Sequence, residues 1–152
     1  MAGVLVIGYG NTVRGDDGLG PAAAEELLEE FAEREVRVLS CHLLTPELAE
    51  PVSRAGFVVF IDASYEGEPG ALLQQEVSPE GARASSFTHH FDPPDLLALA
   101  EAMYGRAPRA VAVSLTGETF ETGRPLSDTV RDRLPDLLES VRELVMRELA
   151  AE

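Results

Sequence analysis

The 152-residue chain contains no lysine; all twelve of its basic residues are arginine. That absence excludes a P-loop, whose phosphate chemistry needs a lysine followed by serine or threonine. Cysteine is nearly absent too. The single Cys41 rules out an internal disulfide and any cysteine-cluster metal site, and at the end of an apolar strand it reads as a buried structural thiol. Positive charge is scarce overall, with a formal net charge of −15. This argues against nucleic acid or an anionic membrane surface as partner. No apolar run approaches membrane-spanning length and the N-terminus has no basic, signal-like region, so a cytoplasmic protein is expected. With 45% hydrophobic residues, the chain can bury the core of one domain spanning residues 1–152.

What the chain does have is an informative start. An apolar strand, Val4–Tyr9, runs into a glycine-rich loop, with Gly8, Gly10, Gly15, Gly18 and Gly20 around two adjacent carboxylates, Asp16 and Asp17. A dinucleotide fingerprint would need a third glycine where Val13 stands. Two acids would repel a phosphate seated there. Glycines let the backbone turn tightly, and the carboxylates point to a cation as the guest.

Further along, Pro21 suits the first turn of a helix, and Ala22–Arg34 carries apolar residues at helical spacing. Val36–Cys41 reads as a second strand. Thr45-Pro46-Glu47 has the form of an N-cap opening a helix over Glu47–Arg54. Phe57–Ala63 is a third, apolar strand interrupted only by Asp62, and Ala71–Val77 a fourth. Asp92-Pro93-Pro94 opens a helix to about Tyr104, Arg109–Ser114 is a fifth strand, and Ser127 caps a long final helix. Alternating strands and helices imply a three-layer α/β domain around a mostly parallel sheet.

This layout predicts where the acids meet. Strands one and three are neighbours in a doubly wound order, and ligands bind above the carboxyl ends of such strands. Asp17 leaves strand one and Asp62 closes strand three, so both face that crevice. Only Ser64–Gly70 separates strands three and four, too short for a helical crossover, so strand four runs antiparallel. The helix before strand five then begins at the carboxyl edge, which brings His89 and His90, just ahead of it, to the same crevice.

Nitrogen and oxygen donors without thiolate fit a borderline divalent metal such as nickel, zinc, iron or cobalt. Three protein ligands would leave positions open for a guest. Each residue also has a structural reading. Asp16 in a tight glycine loop bonds its own backbone or ligates directly. Asn11 bonds backbone within the loop or contacts substrate. One of the two histidines caps the following helix. Asp62 is costly at the end of an apolar strand unless it is paired.

The residues Gly8-Tyr-Gly-Asn-Thr-Val-Arg-Gly-Asp-Asp-Gly-Leu-Gly20 strongly resemble the N-terminal signature of the hydrogenase maturation proteases. The likeness extends through Leu44-Thr-Pro-Glu-Leu-Ala-Glu50, Val58-Val-Phe-Ile-Asp-Ala63, Thr88-His89 before Leu96-Leu97-Ala98-Leu99-Ala100, and Gly123-Arg-Pro-Leu-Ser127, and so covers nearly the whole chain. The resemblance implies an α/β/α domain with a twisted, mostly parallel five-stranded sheet. It implies an endopeptidase that removes a short C-terminal extension from the nickel-loaded precursor of a nickel–iron hydrogenase large subunit. By motif position, the metal-contacting and catalytic residues are Asp17, Asp62 and His89. Gly10, Asn11 and Asp16 are the expected substrate contacts. The nickel arrives with the precursor, and other divalent metals can substitute. With no Ser–His–Asp or Cys–His arrangement near the crevice, water is the expected attacker, activated by the metal or by an aspartate. A monomer with an open crevice is expected. The alternative is a non-catalytic nickel carrier or chaperone that uses the same acids.

Overall fold

The computed structural model describes residues 3–32, 34–82 and 91–151. Five strands form one twisted sheet in the order β2-β1-β3-β5-β4: β1 (Val4–Tyr9), β2 (Val36–Cys41), β3 (Phe57–Ser64), β4 (Leu72–Val77) and β5 (Arg109–Thr116). β1 pairs parallel with β2 and β3, and β3 pairs parallel with β5. Only β4 runs antiparallel, against β5, as the short β3–β4 connection requires.

Strand alternation splits the core into two layers. Val4, Val6, Phe57, Val59 and Ile61 face α1 (Leu19–Glu30) and α4 (Asp128–Ala151). Leu5, Ile7, Val58 and Phe60 face α2 (Ala49–Arg54) and α3 (Pro93–Tyr104). The three-layer α/β/α expectation is met. No helix among the described residues is long and apolar enough to cross a membrane.

Several boundaries differ from the sequence reading. α1 begins at Leu19, directly after a 3-10 turn at Gly15–Gly18, and ends at Glu30 rather than Arg34. Pro21 is tolerated because the first helical N–H groups have no intrahelical partner. The helix can begin this early because Gly20 has no side chain. A Cβ there would lie 2.4 Å from the Tyr9 carbonyl oxygen and 2.6 Å from that of Ile61, so only glycine lets the first turn rest on the ends of β1 and β3. Thr45 makes no side-chain capping bond. The chain takes a 3-10 turn at Pro46–Leu48 before the six residues of α2. The α3 prediction holds, with Asp92 and Asp95 forming a reciprocal capping box.

α4 starts as expected. The Ser127 hydroxyl oxygen accepts from the Val130 N–H at 3.2 Å, and the same hydroxyl donates to Asp16 Oδ2 at 2.8 Å. Ser127→Ala should therefore cost about 1–2 kcal/mol, since a cap and a buried bond are lost together. A urea melt with an unchanged midpoint would show that neither bond contributes.

Candidate active site

Register and alternation build the site. In β1–β3 pairing Ile7 lies opposite Phe60 and Gly8 opposite Ile61, so the ladder's next step sets Tyr9 beside Asp62. Both fall on the face of α2 and α3, at the carboxyl edge. There the Tyr9 hydroxyl donates to Asp62 Oδ2 at 3.0 Å. This bond answers the cost of ending an apolar strand on a carboxylate.

Burial pushes the Asp62 carboxyl up from the usual 3.8 to about 6. The Tyr9 hydrogen bond pulls it back down, and the nearby charges of Asp92 and Asp17 push it up further. Burial and the charge of Asp62 lift the Tyr9 phenol far above its ordinary range, so it remains a donor. Cys41, opposite Tyr9 in the β1–β2 pairing, is half-buried rather than buried, and burial raises its thiol.

Asp17 reaches the same place from the loop after β1. The Asn11 N–H donates to its Oδ2 at 2.8 Å, and the hydroxyl of exposed Tyr65, stacked on Phe120, lies 3.5 Å from Oδ1. Asp17 and Asp62 are thus each oriented by donors of the chain while remaining close enough to interact electrostatically. Asn11 takes the local role weighed for it, its Oδ1 accepting from the Val13 N–H at 3.0 Å.

Gly10 packs on Asp17 at φ 147°, and a Cβ there would stand 1.9 Å from the Asp17 carbonyl oxygen. Its evident role is to let that acid approach β1. Gly10→Ala should displace Asp17 and cost about 1–3 kcal/mol through strain. A thermal melt and the precursor assay below would check this; a variant equal to wild type in both would show that the loop absorbs the methyl.

The expectation that Asp16 contacts substrate is corrected. Asp16 is 0% exposed. It accepts from the N–H groups of Glu118, Thr119 and Ser127 and from the Ser127 hydroxyl, at 2.7–3.1 Å. It faces inward and joins the glycine loop to the segment before α4. Neither a bond to its own loop nor ligation describes it.

His89 and His90 lie outside the described residues. Among the described residues, no group of three or more His, Cys, Asp or Glu side chains is arranged to hold a metal ion. Asp92, at the start of α3, and Asp17, from the glycine loop, both lie near enough to Asp62 for their charges to raise it, Asp92 the more strongly. A cavity of about 630 Å³ opens beside Asp62, bounded by Tyr65, Leu73, Gln75, Ser114 and the first turn of α3.

Tyr9 and Tyr65 were not singled out from sequence, and Asp92 only as the start of a helix. The alternation of β1 marks Tyr9 as facing the same way as Leu5 and Ile7. That it meets Asp62 depends on the β1–β3 register, which no local pattern carries.

No protein-family model matches the chain, and no curated protein matches it significantly. Solved structures do share its fold. The hydrogenase maturating endopeptidase HybD from E. coli matches at a TM-score of 0.80 and 23% identity, over 96% of this chain and 93% of that one. The [NiFe] hydrogenase maturation protease HycI from Thermococcus kodakarensis KOD1 matches at 0.77 and 22% identity, over 95% and 93%. An endopeptidase from Escherichia coli, solved in solution, matches at 0.74 and 23%, over 91% and 89%. At these identities the likeness establishes a shared fold.

Proposed function

We propose that this protein is an endopeptidase of hydrogenase maturation, removing a short C-terminal extension from the nickel-loaded precursor of a nickel–iron hydrogenase large subunit. The observation that carries the reading is the meeting of Asp17 and Asp62 at the carboxyl edge of the sheet, each oriented by a donor of the chain. The shared fold with maturation endopeptidases supports it, as does the likeness of the glycine loop.

In this reading the nickel is the precursor's own cargo. Asp17 and Asp62 contact it, together with His89 as the family likeness implies, and so dock the scissile peptide beside Asp62. In the free protein a carboxylate with a pKa of about 6 is largely ionised at neutral pH yet basic enough to accept a proton from water. Asp62 takes that proton as the water oxygen adds to the carbonyl carbon. The proton then passes to the departing amine as the carbon–nitrogen bond breaks. The cavity beside Asp62 accommodates the chain that flanks the cut.

The test mixes purified protein with its precursor, with and without loaded nickel, and records intact masses. Loss of a C-terminal peptide is expected only from the nickel-loaded precursor, is abolished by Asp17→Ala, and has no counterpart on casein. An unchanged precursor held in a stable, nickel-dependent complex would instead assign the protein as a nickel carrier.

A further inference from the structure

We propose a second binding site, at the amino edge of the sheet, for a small organic anion. A cavity of about 480 Å³ opens there between the starts of β1 and β2 and the end of α2. This is the size range of small-molecule pockets. Its apolar floor is Val4, Leu5, Val36, Pro51 and Ala55. Arg34, Arg37 and Arg54 also line it, against a single acid, Glu35.

The placing of these arginines at one cavity sets the site apart. Arg109, Arg124, Arg131, Arg133 and Arg142 each meet an acid, and within the cavity Arg54 is held by Glu50 at 2.7 Å. Arg14 and Arg147 meet none among the described residues, but neither lines this cavity. Among the described residues, the Arg34 and Arg37 side chains have no partner. The chain carries 27 acids against 12 basic residues, so partners are not in short supply. Two guanidiniums at one cavity with no partner among the described residues form an oxyanion receptor, since each offers a planar fork of donors matched to phosphate or carboxylate.

The wall behind them is fixed. Arg106 crosses from beyond α3 and donates to the Ala55 carbonyl at 2.8 Å and to that of Ser53, holding the end of α2 in place. A cationic rim over an apolar floor selects a ligand with one oxyanion head and an apolar or planar body. The cavity is at the Val4 end of β1, about 16 Å along the strand from Tyr9 and its bond to Asp62. Its occupant therefore does not touch the acid pair, and the inference stands apart from the proposed peptidase activity.

Phenyl phosphate, benzoate and phenol, each titrated into the intact protein at low ionic strength by calorimetry, test it. Saturable one-to-one binding of phenyl phosphate, benzoate or both is expected, with phenol silent; the two anion arms separate a phosphate from a carboxylate ligand. Affinity should fall about tenfold in Arg34→Ala and in Arg37→Ala. It should be unchanged in Arg147→Ala, an arginine on the outer part of α4. Absence of saturable anion binding in the millimolar range would overturn the proposal, as would binding by phenol alone or equal weakening in Arg147→Ala.

Discussion

Asp16→Asn is expected to destabilise the protein by on the order of 4 kcal/mol, a large share of the ~5–15 kcal/mol that holds a typical domain folded. The carboxylate accepts four hydrogen bonds with no access to water. Asparagine keeps one acceptor oxygen and turns an NH₂ group toward donors that already point inward. With its oxygen at the Oδ2 position the Ser127 N–H still loses its acceptor, and the buried NH₂ group that faces it gains none, each at about 1–3 kcal/mol. Because the bonds tie the glycine loop to the segment before α4, the loss loosens the loop that holds Asp17 as well. A fall in Tm of about 10 °C is the expected reading at this chain length. A variant that melts with the wild type would show that the segments are held by other contacts.

Asp62→Asn should do the opposite to stability while removing activity. In the folded protein the Asp62 carboxyl is raised from 3.8 to about 6, chiefly by burial. Between those two values the folded protein keeps a proton that the unfolded chain has released. Stability therefore falls as pH rises through the window, and above about 6 the full cost of an ionised, partly buried carboxylate is present. That cost is at most about 3 kcal/mol. Asparagine can still accept from Tyr9 and carries no charge, so the variant should be more stable than wild type at pH 8 and equal to it below pH ~4.

Processing of the nickel-loaded precursor should fall about a thousandfold in the same variant, the scale of a lost general base. In wild type its kcat/KM, which reports the free enzyme, should rise with pH through about 6 as Asp62 ionises. Melts at the two pH values and a pH–rate profile read both effects. An Asp62→Asn variant that is less stable at pH 8 would mean that the carboxylate is held by more than Tyr9. One that still cuts would remove Asp62 from the chemistry.

Local sequence made much of this legible. β1, β2, β3 and β5 follow from apolar runs, the antiparallel β4 from a connection too short for a crossover, and the start of α3 from Asp92 and its two prolines. The convergence of Asp17 and Asp62 follows from strand order alone, because the carboxyl ends of neighbouring parallel strands share one edge. The ends of α1 were less legible. Its start depends on Gly20 resting against β1 and β3, a contact between segments that local periodicity does not register.

The two adjacent loop acids divide the remainder most clearly. By sequence Asp16 and Asp17 are equivalent carboxylates in one glycine loop, and the chain by itself determined only that such a loop follows β1 and faces the crevice. Tertiary structure decided which acid goes where. Asp16 turns inward to donors 102 to 111 residues away, and Asp17 turns to the carboxyl edge, where its charge reaches Asp62. Tyr9 likewise became the partner of Asp62 through β1–β3 register. Periodicity and turn chemistry act over a few residues and are written along the chain. Hydrogen bonds that cross from one loop to another exist only once the sheet has set those loops side by side.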